Sequence, residues 1–199
     1  MDVKKFVRFY ESGFGRKVLR REAGYLRREL KGRKKILDIG CGAGFFEMAL
    51  PEFDITGLDN SKEMLREARK RSDKKFVLGN AELMSFPSKT FDAAFAVTTL
   101  EFLDDYKKAV EEIFRVLRSN GKFIAMMLNT KSEYFKSHVN KPNSYFRRIK
   151  HRDAKEIEHY ISKFFTTRSE YFLGIRGTEV FNTRNENLAA LYVVKGEKS

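Results

Sequence analysis

The sequence predicts an α/β fold whose core is a doubly wound, mostly parallel sheet. Short apolar runs alternate with segments of helical periodicity, and this alternation is typical of parallel strands joined by helical crossovers. The apolar run 36–39 also leads directly into a glycine-rich turn at 40–44 and then into helix-forming residues. A turn of this kind at the carboxyl end of the first strand is where open α/β sheets bind ligands. The 199 residues suffice for one such domain with a sizeable core.

The turn itself has the pattern Gly40-x-Gly42-x-Gly44. Glycine has no Cβ, so a backbone of this kind can approach a ligand closely. The dinucleotide-binding fingerprint Gly-x-Gly-x-x-Gly would need its third glycine at position 45, where this chain has Phe45. The turn alone therefore leaves two alternatives, a loop that binds some other cofactor and a tight turn that binds nothing.

A second strand is predicted over 53–58 and ends in Asp59, 19 positions after Gly40. A carboxylate at this point can accept hydrogen bonds from both hydroxyls of a ribose, which favours a nucleoside ligand over an ordinary turn aspartate. Ser61 is predicted to cap the following helix, which buries Met64 and continues to about Arg71.

The remaining elements follow in the same order. The third strand is predicted over 75–78, and Phe91-Asp92 opens a fourth strand that continues to 97. Apolar residues at helical spacing predict a helix over 104–118, and Asn120-Gly121 has the chemistry of a turn before a fifth strand. Beyond residue 152 the pattern predicts a helix over 153–162 and two strands near 169–173 and 188–194, with an irregular connection marked by Gly174 and Gly177.

The run from Asp38 to Gly44 resembles motif I of the class I S-adenosylmethionine (SAM)-dependent methyltransferases. Four motifs in order over about 36–128 resemble in particular the branch typified by the ubiquinone/menaquinone-biosynthesis methyltransferases. The resemblance implies a Rossmann-like seven-stranded sheet closed by an antiparallel C-terminal hairpin, with N-terminal helices. It also implies SAM as cofactor and S-adenosylhomocysteine as product. The family's cofactor contacts fall on Asp38, Gly40, Cys41, Gly42, Gly44, Asp59, Asn60, Asn80, Ala81, Glu82 and Thr98.

Two of these positions leave room for other interpretations. Asn80 stands where the family commonly has an aspartate, although an amide still offers a donor and an acceptor to an adenine edge. Glu82 is interpreted equally well as an adenine contact or as a solvated turn residue.

The charge is concentrated in two segments of a single predicted domain, 1–199. Residues 1–35 contain 13 lysines and arginines against 4 acidic residues, and residues 131–152 contain 7 against 1. Since the whole chain carries +13, the remainder is slightly acidic. In the resembled family, N-terminal helices and an insertion after the fifth strand cover the acceptor, which here implies a basic helical cap (1–33) and a basic insertion (129–152). The charge favours an anionic or nucleic-acid partner, or is a solvated surface of the kind seen in thermophiles.

The leading hypothesis is therefore a methyltransferase with a small-molecule acceptor. The alternatives are an RNA or protein methyltransferase that uses the basic segments, and a non-catalytic module that binds SAM or nucleic acid. A general base is needed only if the acceptor arrives protonated, and the candidates are Glu101, His138, His151 and Tyr10.

Several classes are disfavoured by missing residues. No Asn/Asp-Pro-Pro-Tyr/Phe motif follows the fourth strand, which disfavours amino-methylating enzymes of the adenine and glutamine type. Cys41 is the single cysteine and lies in the glycine turn, which disfavours a cysteine nucleophile and predicts a reducing, cytoplasmic location. No metal site is expected from the spacing of His and Cys, and no apolar run predicts a membrane span or a signal peptide.

Overall fold

The computed structural model describes residues 2–199, which form one eight-stranded sheet with helices on both faces. The strands are Lys35–Ile39 (β1), Asp54–Asp59 (β2), Lys75–Leu78 (β3), Phe91–Val97 (β4), Leu117–Leu128 (β5), Thr166–Arg176 (β6), Glu179–Phe181 (β7) and Ala189–Glu197 (β8). The helices are Val3–Glu11 (α1), Gly13–Glu29 (α2), Phe45–Ala49 (α3), Lys62–Ala68 (α4), Tyr106–Val116 (α5), Glu133–Val139 (α6) and Ala154–Ile161 (α7), with short 3₁₀ turns at Leu100–Phe102 and Tyr145–Arg148.

The strand order is β3-β2-β1-β4-β5-β8-β6-β7. The first five strands in this order are parallel, and β8, β6 and β7 continue the sheet in antiparallel fashion. The predicted α/β class, the parallel half and the antiparallel C-terminal strands are thus confirmed. The strand order switches sides at β1, with β2 and β3 on one side and β4 and β5 on the other, so the carboxyl end of β1 lies at the crevice where open α/β sheets hold their ligands.

The sheet has eight strands where seven were predicted. The additional strand, β7, forms a hairpin with β6 in the stretch that the sequence predicted as an irregular connection. Gly177 supplies the left-handed backbone of the turn, with a φ of 58°, while Gly174 lies inside β6 and pairs with Phe181. A three-residue strand at a sheet edge has too short a pattern to be recognised by alternation.

The predicted turn at Asn120-Gly121 lies inside β5 rather than before it. Phe91 pairs with Leu117 but Ala93 pairs with Lys122, so the strand bulges between these two register points. Asn120 has a φ of 60°, a left-handed conformation that asparagine tolerates better than most residues. The sequence therefore predicted the position of the bend correctly, but the bend lies within a continuous strand.

The two basic segments contact each other although they are far apart in sequence. The Lys5 ammonium donates to the Asn143 carbonyl at 2.7 Å, and the Phe14 ring lies 6.4 Å from the Tyr134 ring. Helices α1 and α2 join at Ser12, whose hydroxyl accepts the Gly15 N–H at 2.9 Å. The cap and the insertion therefore form one cover over the carboxyl edge of the sheet. Among residues 2–199, the helices are each too short or too polar to cross a membrane.

Candidate active site

A cavity of about 600 Å³ lies at the carboxyl ends of β1, β2 and β4, beneath the cap and the insertion. Its size falls within the range of about 300–1,000 Å³ that is usual for small-molecule sites. Most of the predicted cofactor residues line this cavity, namely Asp38, Gly40, Cys41, Gly42, Asp59, Asn60, Asn80, Ala81 and Thr98. The topology thus brings together residues from four separate loops, and their roles in binding stay predictions.

The glycine turn is held in a conformation that side chains would disturb. Gly40, Gly42 and Gly44 have φ values of 74°, 54° and 75°. A Cβ on Gly40 would lie 2.5 Å from the Thr99 hydroxyl, and one on Gly42 would lie 3.1 Å from the Phe6 ring. Left-handed backbone and crowding both require glycine, so the loop presents bare backbone to the cavity.

Asp59 fixes the glycine turn and still faces the cavity. Its carboxylate accepts the Gly42 N–H at 2.8 Å and the Ser61 N–H at 2.9 Å. Burial raises the pKa of this carboxyl, and these hydrogen bonds oppose the rise. A carboxylate has about four acceptor positions, so two contacts leave capacity for ligand hydroxyls.

Asp38 is a buried carboxyl at the end of β1, with 1% of its surface exposed. One of its oxygens lacks a hydrogen-bond partner among residues 2–199, and so do both carboxylate oxygens of the nearby Glu47. Burial and the neighbouring Glu47 raise the pKa of Asp38 well above its ordinary value. An unpaired buried acid that lines a cavity is a suitable partner for a cationic or donor group of a ligand.

Two of the predicted cofactor residues make other contacts. Gly44 begins α3, and a Cβ on it would lie 2.9 Å from the Ala68 Cβ, so it allows α4 to pack closely. Glu82 accepts the N–H groups of Asp104 and Asp105 at 3.0 Å each, and so supports the segment before α5. Both residues lie outside the set that lines the cavity.

Thr98 follows β4 and has a φ of 46°, a left-handed conformation that is rare for a β-branched residue. Its N–H donates to the Met126 carbonyl at 2.7 Å, which ties this backbone to β5. Strain of this kind costs roughly 1–3 kcal/mol and is concentrated at functional sites. The backbone that follows β4 thereby lines the cavity at Thr98.

Of the four candidate bases, only Tyr10 lines the cavity. His138 lies 2.8 Å from the Tyr134 carbonyl within the insertion, and His151 lies 3.1 Å from the Leu103 carbonyl, which joins the insertion to the segment after β4. Glu101 is buried and accepts the Leu128 N–H at 2.8 Å, and its own carbonyl accepts the N–H groups of residues 150 and 151. Burial raises the pKa of Glu101 to about 7. These contacts favour positioning roles for the three residues that do not reach the cavity.

Sequence reasoning missed Glu22, a carboxyl on α2 that is only 3% exposed. One of its oxygens lacks a partner among residues 2–199. Burial raises the pKa values of Tyr10 and Tyr134, and the nearby Glu22 raises them further. A signal was present, because Glu22 lies four residues after Val18 and four before Leu26, on the apolar face of the helix. The acid thus lies behind the wall of the cavity.

Glu22 is expected to make stability fall as pH rises. Burial raises its folded-state pKa to about 8, above an ordinary value of 4.5. Between these values the folded protein keeps a proton that the unfolded chain has lost, so the free energy of unfolding decreases across this window. We expect that loss, on the order of a few kcal/mol, to be absent in Glu22→Gln. Denaturant unfolding at pH 5 and pH 9 measures it. The exposed Glu179→Gln is the control, and equal pH dependence in both variants would contradict the expectation.

Among residues 2–199, no group of three or more His, Cys, Asp or Glu side chains is arranged to hold a metal ion. A family model described as a methyltransferase domain matches residues 37–125. The uncharacterized protein MJ1123 of Methanocaldococcus jannaschii is 32% identical over 158 residues, which cover 77% of this chain and 75% of that protein. A demethylmenaquinone methyltransferase of Thermotoga maritima is 33% identical over 106 residues, covering 49% of this chain and 46% of that enzyme.

Solved structures are similar to this chain in fold. A SAM-dependent methyltransferase from Thermotoga maritima superposes with a TM-score of 0.85 at 24% identity, and the match covers 100% of this chain and 96% of that one. A phosphoethanolamine N-methyltransferase of Haemonchus contortus in complex with SAM gives a TM-score of 0.61 at 26% identity, over 75% of this chain and 38% of that one. This chain spans less than half the length of the first curated relatives that it matches. With the ordered motifs, the glycine turn and the sheet topology, these matches establish that the chain belongs to the class I SAM-dependent methyltransferases and resembles their menaquinone-biosynthesis branch.

Proposed function

We propose that this protein binds SAM in the cavity and transfers its methyl group to a small-molecule acceptor. The observation that carries the proposal is the continuity of the cavity. One end is lined by the glycine turn and by Asp59 and Asn80, and the other is lined by aromatic side chains of the cap and the insertion. A single cavity thus offers a cofactor end and an acceptor end.

The residues at the cofactor end fit SAM. The bare backbone of the glycine turn would lie against the cofactor where a Cβ would intrude. Asp59 would accept hydrogen bonds from the ribose hydroxyls, and the Asn80 side chain would face the adenine. The unpartnered oxygen of Asp38 would accept a hydrogen bond from the amino group of the methionine part of SAM.

When bound, SAM would supply a methyl group activated by a sulfonium, and the neutral thioether that it leaves behind needs no proton. The chain's own residues then need to position the acceptor and exclude water. Phe6 and Tyr10 from α1 and Tyr145 from the insertion line the cavity from above and provide this cover. Tyr10 is the one candidate base whose side chain lies at the cavity, and burial raises the pKa of its hydroxyl, so it remains a neutral donor and acceptor at pH 7.

A second candidate function is methylation of RNA, and the contact between the cap and the insertion favours it. These segments hold most of the positive charge and adjoin the mouth of the cavity. A surface of this kind would attract a phosphate backbone, and its binding would weaken steeply with salt.

Calorimetry with S-adenosylhomocysteine tests the proposed cofactor. We expect binding with a dissociation constant in the micromolar range or below, and transfer of labelled methyl groups from SAM to an acceptor when a mixture of small acceptors is supplied. Absence of binding would overturn the proposal. Methylation of RNA but not of small molecules would favour the second candidate.

A further inference from the structure

We propose that the acceptor end of the cavity contains a subsite for an anionic group, built from the guanidinium of Arg148 with the hydroxyls of Tyr145 and Tyr10. The proposal rests on the proposed function and adds the chemical class of the acceptor, a small aromatic compound that carries a carboxylate or phosphate. All three side chains line the cavity, and they come from the cap and the insertion, not from the loops of the cofactor end.

Arg148 is the cation available to a ligand at this place. Its side chain is exposed and makes neither a hydrogen bond nor an ion pair with any part of residues 2–199. The other cation that lines the cavity, Lys150, already pairs with Asp104. A planar guanidinium with free donors matches the geometry of a carboxylate or phosphate in two parallel hydrogen bonds.

The two tyrosines provide neutral donors beside this charge. Neither the Tyr10 nor the Tyr145 hydroxyl has a hydrogen-bond partner within residues 2–199, although both residues are largely covered by protein. Burial raises the pKa values of both hydroxyls, the carboxylates of Glu22 and Glu101 add to the rise, and Arg148 opposes it at Tyr145. Three groups with donors to spare therefore line the same cavity.

The walls of this end favour an aromatic acceptor. The Tyr145 ring stacks on Phe102, with centroids 4.3 Å apart and planes 25° from parallel. Phe6 packs edge-on against Tyr10 with centroids 5.0 Å apart. Rings that are already fixed by neighbours can stack with a planar ligand at little further cost in conformational entropy. An aromatic body would thus lie between the rings with its anionic group toward Arg148.

The neighbouring Arg147 provides a matched control. It is exposed like Arg148 and also lacks an ion pair or side-chain hydrogen bond within residues 2–199, but it does not line the cavity. Loss of either arginine removes the same charge from the insertion. A difference between the two variants therefore reports the cavity and not the general positive potential of the surface.

The test is a ligand-observed NMR titration with benzoate, phenyl phosphate, benzamide and benzylamine, with and without S-adenosylhomocysteine. We expect wild type and Arg147→Gln to bind one or both anions at least about tenfold more tightly than benzamide, since a hydrogen bond to a charged group is stronger than one between neutral groups. Arg148→Gln should lose this preference while its affinity for S-adenosylhomocysteine is unchanged. Preference for benzylamine, or equal preference in both variants, would overturn the subsite.

A second binding experiment distinguishes a site for a small anion from a site for a polyanion. The small-acceptor subsite would be overturned if a single-stranded RNA oligomer bound tightly, if that binding weakened steeply with salt, and if it depended equally on Arg147 and Arg148. Failure to bind S-adenosylhomocysteine would overturn the proposed function instead. Cofactor binding without any preference for anions would overturn the subsite alone.

Discussion

Asp59→Ala is expected to weaken the binding of S-adenosylhomocysteine about 100-fold. In the proposed complex the carboxylate accepts hydrogen bonds from two ribose hydroxyls, and hydrogen bonds to a charged group contribute about 1.5–3 kcal/mol each. The same carboxylate holds the Gly42 N–H at 2.8 Å, so its removal also frees the glycine turn. Both effects lower the affinity for S-adenosylhomocysteine. Isothermal titration calorimetry of the folded variant measures the change.

Two further variants separate these effects. Asp54 lies at the opposite, exposed end of the same strand, so Asp54→Ala should bind S-adenosylhomocysteine like wild type. Asp59→Asn keeps the shape of the side chain and one acceptor oxygen, and it should fall between wild type and Asp59→Ala. Affinity that is unchanged in Asp59→Ala would remove Asp59 from the proposed ribose site.

The parallel half of the fold was predictable because each of its elements carries a local signal. The glycine turn, the carboxylate after the second strand and the cap at Ser61 all fall within a few residues of the strands that they follow. Ser61 indeed accepts the Met64 N–H at 3.2 Å and begins α4. Short-range chemistry of this kind depends on neighbours in the sequence, so a single sequence is sufficient to read it.

The features that could not be predicted depend on contacts between distant parts of the chain. The acceptor end of the cavity needs Tyr10 of the cap and Tyr145 of the insertion to meet, and nothing local to either residue encodes that encounter. β7 is short and lies at the edge, so alternation gives it no recognisable pattern. Glu101 was predicted as a base from its position after β4, but the fold turns it toward β5, where its carboxylate holds Leu128.

Glu22 shows the opposite case, because its burial is encoded locally, by its spacing from Val18 and Leu26 on the apolar face of its own helix. An apolar helical stripe normally excludes an unpaired carboxyl, because burial of a charge is costly. A glutamate at stripe spacing is therefore more informative than the arginines around it. It predicts either a neutral acid in the core or a polar cavity close by, and here it is near enough to Tyr10 to contribute to the raised pKa of that buried hydroxyl.

Gly15→Ala is expected to displace the cap and to abolish most cofactor binding. Helices α1 and α2 cross so closely that a Cβ on Gly15 would lie 1.9 Å from the Phe9 carbonyl oxygen and 2.9 Å from the Tyr10 Cα. These are backbone atoms, so the clash cannot be relieved by rotating a side chain. We expect a loss of about 3 kcal/mol or more in the free energy of unfolding, or local detachment of α1. Detachment would remove Phe6 and Tyr10 from the cavity wall.

Gly13→Ala is the matched control, because a Cβ two residues earlier in the same helix would meet nothing within 4 Å. Its stability should stay within about 0.5 kcal/mol of wild type, and its affinity for S-adenosylhomocysteine should be unchanged. Thermal unfolding and calorimetry of both variants distinguish the two ways in which Gly15→Ala can fail. A stable protein with weak binding indicates that α1 alone has detached, whereas a general loss of stability indicates that the cap is part of the cooperative core. Wild-type stability and affinity in Gly15→Ala would contradict the close crossing of the two helices, and with it the role of the cap as the roof of the acceptor end.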